Sequence, residues 1–369
     1  MKIFSMALLL IFMASFSAAQ AVIENPSKPL SENAGRIVTL KEDLRIEDTG
    51  EGFFFKSIVR IRISSQGDIL IMDRKQALHF DAQGRFLRNL FKEGQGPGEL
   101  NSVEDIHMTG DRIYLVGNPP KILVFDHQGS LVKEIGFSIH FLGYPSDRLV
   151  KAESDRVYLI SGGRPDPAAG TGFIEIPQNI FEITLDGKTN KIASFPIPGF
   201  FQGSESGITG QATWNILNYI VLPTGQLAVN SSPEYGIDIF DFDKGMVVRR
   251  FSRPYSRIKR SGPRRGVSVS GSPTPPPAPK FIPDIQALHS FEGKIWVQTS
   301  TVVEGKGILF DVFDIDGKYL DSFYMPTSAK TWEKKPANMD FTFAAGCAYL
   351  RERTEDDLIV VKKCRLVGL

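Results

Sequence analysis

The chain has 369 residues, 42% of them hydrophobic, enough to bury a large core. Its 43 Lys and Arg stand against 42 Asp and Glu, so there is no global charge bias and nucleic acid is not the default partner. After residue 19 no stretch is apolar for long enough to span a membrane.

The first nineteen residues read as a cleavable secretory signal: Met1-Lys2 supplies the positive start, Ile3 to Phe16 the apolar stretch, and Ser17-Ala18-Ala19 the small-residue site before Gln20. That apolar run is short of the roughly 20 residues a bilayer span needs. No Cys follows the cleavage site to carry a lipid anchor. The expected product is an exported protein, periplasmic or extracellular, beginning at Gln20.

The rest of the chain repeats one phrase. Asp68-Ile-Leu-Ile-Met leads to His79-Phe80-Asp81-Ala-Gln-Gly84, Arg112-Ile-Tyr-Leu-Val to Val124-Phe125-Asp126-His-Gln-Gly129, and Lys294-Ile-Trp-Val-Gln to Val312-Phe313-Asp314-Ile-Asp-Gly317. Alternating runs around each copy give four strands per unit, each unit burying its apolar faces only against its neighbours. The expected fold class is all-β: a six-bladed β-propeller of four-stranded antiparallel blades, one domain over residues 20–369. Blades are expected at about 57–100, 101–146, 147–200, 210–255, 281–326 and 339–368. The last has three strand candidates, so an N-terminal strand at 36–41 is expected to join the C-terminal blade and close the ring, removing exposed edges.

Asn25-Pro26-Ser-Lys-Pro29-Leu30, the Phe-Asp-x-x-Gly turns and above all Gly94-Gln95-Gly96-Pro97-Gly98-Glu99-Leu100 together resemble the NHL-like six-bladed β-propeller proteins exported by bacteria. The resemblance implies a fold and an extracytoplasmic setting. It carries no catalytic residue over.

Candidate sites are few. Gly94, Gly96, Pro97, Gly98 and Glu99 form the loop between the first two blades. Its amides could cradle an anion, but it lacks the Lys-Ser/Thr of a phosphate loop, so a tight crossing held by Glu99 is the favoured reading. His79, His107, His127, His140 and His289 are scattered singly, with no zinc-like spacing. Asp241-Phe-Asp243-Lys-Gly245 and Asp314-Ile-Asp316-Gly317 resemble fragments of calcium loops, but neither completes the alternating ligand series with its distal Glu, and Asp and Gly are what a tight turn asks for.

Arg249, Arg250, Arg253, Arg257, Lys259, Arg260, Arg264 and Arg265 fall in a stretch, 249–280, without Asp or Glu. With the tract Gly271-Ser-Pro-Thr-Pro-Pro-Pro-Ala-Pro279 they make a basic, Pro-rich insertion over 256–280, either an arm for an anionic partner or a solvated linker. If Glu355-Asp356 centres a tight hairpin, Cys347 and Cys364 face each other. An export setting then permits a disulfide, the alternative being two buried thiols.

The expected function is a binding or scaffold module for a protein or glycan partner at the cell envelope. It would act as a monomer, with no catalytic set and no cofactor, calcium being the one ion the turns leave possible. The alternative is a metal-dependent hydrolase or lactonase-type propeller. That would require Glu104, Asp105, Asn215, Asn218 and Asp284, or groups like them, to converge in the central channel.

Overall fold

The repeated phrase folds into the same corner each time. Asp81 Oδ1 accepts the backbone N–H groups of Gln83 (3.0 Å) and Arg85 (2.9 Å), Gly84 adopts φ +77°, and Phe80 is buried. Asp126 with Gly129 and Asp314 with Gly317 repeat the arrangement. A carboxylate that closes its own turn and a glycine free to take positive φ are what such a corner requires. Asp241 and Asp314, the calcium-loop fragments, spend carboxylate oxygens on backbone amides of their own turns.

The computed structural model describes residues 21–48, 50, 52–73, 75–138, 148–163, 172–204, 207–213, 217–260, 279–326 and 341–369. Among these every regular element is a strand, and the strands form six sheets. The first blade holds Ile58–Ile63, Ile69–Asp73, Ala77–Phe80 and Phe86–Asn89 in antiparallel order. The second runs from Ser102–Met108 to Leu131–Gly136, the third from Arg148–Ala152, the fourth from Asn218–Val221 and the fifth from Ile285–Phe291. The closing blade joins Phe341–Ala344, Cys347–Arg353 and Ile359–Val367 to the N-terminal strand Thr39–Glu47. The protein is a six-bladed β-propeller.

Three sheets carry a fifth, outer strand. Ala21–Glu24 lies parallel to Met246–Ser252 of the fourth blade, and Arg36–Ile37 parallel to Tyr319–Met325 of the fifth. Gly207–Thr213 extends the third blade, so the fourth begins at Asn218 and not at 210. The closing strand is likewise later than the predicted 36–41. Fully buried Val38 plugs the junction of the fifth and closing blades, which lets Arg36–Ile37 pair with one and Thr39–Glu47 with the other.

Among the described residues the buried apolar side chains fall into six clusters, one at each junction between neighbouring blades. The first strands of the blades touch in succession round to the first again, enclosing a central channel. Side chains tie these inner strands together: Asp105 Oδ2 accepts Leu149 N–H (2.8 Å), Asn218 Nδ2 donates to Ile285 O (3.3 Å), and Thr342 Oγ1 donates to Ile61 O (3.3 Å).

Candidate functional site

In the strand Ile58-Val59-Arg60-Ile61-Arg62-Ile63 an irregularity between Ile58 and Arg60 lets both Ile58 and Ile61 enter the core, and the alternation after it leaves Arg60 and Arg62 together on the other face. As the innermost strand of the first blade it delivers them to the channel. Arg60 Nε lies 2.6 Å and Arg62 Nη2 4.0 Å from Oδ1 of Asp105, a fully buried carboxylate on the second blade. Arg148 of the third blade lies over the ring of Tyr219 on the fourth, its guanidinium carbon 5.2 Å from the centroid.

The side chains Arg60, Arg62, Arg148 and Asp105 thus put three positive charges against one negative in a space shared by three blades, with Tyr219 of the fourth beside Arg148. Burial lowers the Arg62 pKa, with Asp105 opposing and Arg60 and Arg148 adding to the fall. Burial, then Arg62, pushes His107 down to about 4. The neutral ring adds no charge at pH 7. Burial keeps the Tyr219 hydroxyl protonated as a donor, and neither it nor Arg148 Nε has a hydrogen-bond partner among the described residues. Converging guanidinium groups and an unengaged hydroxyl fit a carboxylate, sulfate or phosphate.

Among the described residues, the carboxylates and amides expected at a channel cation are engaged by other protein groups. Glu104 accepts the Ser102 hydroxyl (2.8 Å), Asp105 is taken by Arg60 and Leu149, Asn218 reaches Asn230 and Ile285, and Asp284 accepts from Arg257. Asn215 lies outside the described residues.

The glycine loop between the first two blades already holds its own anions. Glu99 Oε2 accepts Gly96 N–H (3.0 Å), and Glu134 Oε2 accepts Gly98 N–H (2.7 Å) while its other oxygen meets Lys121 Nζ (3.0 Å). At Gly94, φ is +152° and a Cβ would fall 2.0 Å from Glu99 Oε2. The crossing needs glycine there. Pro97 sits between the two bonded amides.

Four arginines of the predicted basic arm serve the ring itself. Arg250 makes a two-pronged pair with Asp238 (2.6 and 2.8 Å), Arg249 meets Asp316 (3.1 Å), and Arg257 meets Asp284 (3.1 Å) and Glu234 (3.2 Å). Arg253 is buried on Asp311, between the rings of Tyr235, Tyr255 and Tyr319. A stretch without local acids draws them from other turns and from the next blade. Arg260 Nε donates to Pro279 O (3.3 Å), and Lys259 forms an isolated bridge to Phe281. Arg264, Arg265 and most of the proline tract lie outside the described residues, as do the signal segment and His140.

The expected facing of the two cysteines is overturned. Cys347 is paired with Arg365, and Cys364 with Ala348. The hairpin loop runs from Thr354 to Leu358 with Asp357 at φ +64°, which shifts the register by one residue from the predicted one. Such a slip moves a side chain to the other face of the sheet. Cys347 packs at the junction with the first blade and Cys364 at the junction with the fifth, as free thiols.

Sequence spacing also gave no sign of what happens to two histidines. His79, on the third strand of the first blade, and His127, at the last corner of the second, both face Oδ2 of Asp68, at 3.6 and 3.5 Å. Burial lowers the His79 pKa, Asp68 opposing and Arg88 adding to the fall. The signal was present: both flank a Phe-Asp corner in consecutive repeats, and a propeller stacks consecutive repeats.

A family model described as a 6-bladed beta-propeller matches residues 46–157, the first two blades and the start of the third. A protein of Bacteroides fragilis described as exported has a solved structure that shares the fold at a TM-score of 0.53 and 13% identity, covering 94% of this chain and all of its own. A protein of unknown function from Bacteroides caccae aligns at 0.40 with 14% identity over 72% of this chain and 80% of its own. BamB from Moraxella catarrhalis aligns at 0.37 with 12% identity over 91% of this chain and 95% of its own. No curated protein sequence matches the chain.

Proposed function

We propose that this chain is an exported, monomeric propeller of the NHL-like bacterial kind, acting as a binding module whose channel receives an anionic group of a protein or glycan partner at the cell envelope. The observation that carries the reading is the meeting of Arg60, Arg62 and Arg148 on inner strands against the single carboxylate of Asp105. Support for export comes from the signal-like residues 1–19 and from the Bacteroides fragilis protein of the same fold that is described as exported. The hydrolase alternative draws no support from the channel, because guanidinium groups stand where a divalent ion would need carboxylates.

Two measurements test this. Titration of a labelled oligoglutamate peptide and of a sulfated oligosaccharide at low salt should give binding to at least one that weakens as salt rises. Arg148→Gln removes a charge with no acid in ion-pair reach among the described residues and should weaken binding about fivefold or more. Absence of binding, or affinity indifferent to Arg148→Gln, defeats the channel reading. Mass spectrometry of the expressed chain should find an N-terminus at Gln20 in the envelope fraction; an intact Met1 end in the cytosol defeats export.

A further inference from the structure

We infer that Asp68, His79 and His127 form a binding site for a divalent transition ion, zinc(II) by its donor set, clamping the first blade to the second. The three residues offer a carboxylate oxygen and two ring nitrogens that all lie within 4.8 Å of one another. Asp68 closes the turn between the first two strands of its blade, where its backbone N–H donates to Ser64 Oγ (3.0 Å). His79 comes from the third strand of the same blade and His127 from the corner Asp126–Gly129 of the next, so the site exists only when the blades are packed.

Hydrogen bonding does not account for the arrangement. His79 Nε2 and His127 Nδ1 stand 3.6 and 3.5 Å from Asp68 Oδ2, too far for a hydrogen bond. None of the four ring nitrogens has a hydrogen-bond partner among the described residues, although His79 is fully buried. Every imidazole carries an N–H or a lone pair on each nitrogen, and buried polar atoms of this kind are ordinarily satisfied.

The same distances suit a metal. Ligand bonds of about 2.0–2.2 Å at tetrahedral angles place ligand atoms about 3.3–3.6 Å apart, and the two observed separations are 3.6 and 3.5 Å. Two imidazoles and one carboxylate leave a fourth position for water or for a donor from outside. Asp68 and His127 keep side-chain exposures of 20% and 17%, so an ion can enter from solvent. Arg88 opposes a cation here: it is paired across the strands with His79, and its guanidinium passes over Gly129, where a Cβ would meet Arg88 Cδ at 2.5 Å.

The experiment uses the untagged chain and zinc(II) chloride, titrated against a chromogenic chelator, with cobalt(II) absorption as a second reading. One equivalent should bind, with the intense visible bands of a four-coordinate cobalt site and a raised unfolding midpoint in zinc. His127→Ala and Asp68→Asn should each weaken binding about tenfold or more, and Arg88→Gln should tighten it. Failure to retain a stoichiometric ion, or retention that His127→Ala and Asp68→Asn leave unchanged, overturns the site.

Discussion

Asp311 offers the sharpest test of how the blades are held together. It is fully buried on the fifth blade, where Oδ2 accepts the Tyr235 hydroxyl (2.7 Å) and Arg253 Nε (2.9 Å), and Oδ1 accepts the Tyr319 hydroxyl (2.6 Å). Arg253 and Tyr235 belong to the fourth blade and the segment leading from it, so one carboxylate fastens a junction. Burial, then the Asp311 charge, holds both phenols far above their ordinary pKa, so they remain donors throughout the working pH range.

Asp311→Asn removes the charge; an amide NH2 in place of Oδ2 would face the Arg253 guanidinium, donor against donor, whereas in place of Oδ1 it would meet the Tyr319 hydroxyl, which can turn to accept. With Arg253 8% exposed at its side chain, the guanidinium is left buried without its counter-charge. That situation costs about 3–5 kcal/mol. Equilibrium urea unfolding followed by tryptophan fluorescence reads this directly, provided the slope of the transition is unchanged. Arg253→Met in the Asp311→Asn background should cost less than the two single changes added, by about 2 kcal/mol, because the stranded charge has gone. A loss below about 1 kcal/mol for Asp311→Asn, or strictly additive effects, would refute the reasoning.

Two further outcomes follow from burial. His107 and His289 are both held down to about 4, by burial first, then Arg62 at His107 and against the Gln298 contact at His289. An unfolded chain takes up their protons below about pH 6.5, whereas the folded one does so only near 4. Their contribution is therefore full above pH 6.5 and is lost as the pH falls towards 4, by about 3 kcal/mol each. The urea midpoint should fall between pH 7 and 4.5, less steeply in His289→Gln; an identical slope in that variant counts against the assignment. Cys347 and Cys364 should be absent from any disulfide in a non-reducing peptide map and should react with a thiol reagent only on unfolding, the Cys364 thiol being pushed up to about 11 by burial. A Cys347–Cys364 linked peptide would contradict the observed register.

The ring was legible in the sequence because a propeller repeats its strand pattern and its corner, and Phe80, Phe125 and Phe313 each mark one. Register was less legible. Whether the last hairpin turns about residue 356 or just before it depends on one left-handed Asp357, and that choice alone sends Cys364 to the opposite face. The candidate sites were hardest, since alternation says that Arg60 and Arg62 avoid the core but not that the space they enter is an axial channel. Asp68, His79 and His127 share no spacing rule, because their meeting is made by packing one blade on the next. Nor could a run of basic residues reveal that Arg253 has its partner at Asp311, a blade away.

The N-terminal segment behaves as a strap laid round half the circumference. Ala21–Glu24 pairs with the fourth blade, Arg36–Ile37 with the fifth and Thr39–Glu47 with the closing one, while the Asn25 amide donates to Ser252 O (3.1 Å) and Gly317 O (2.8 Å). All of these partners lie more than two hundred positions downstream. During synthesis these N-terminal strands must therefore wait, unpaired, for partners made far later, and the ring cannot lock before residues 359–367 exist. Synthesis of Ile359–Val367 is thereby the step that closes the ring, and a chain cut short before it leaves Thr39–Glu47 unpaired and open to association.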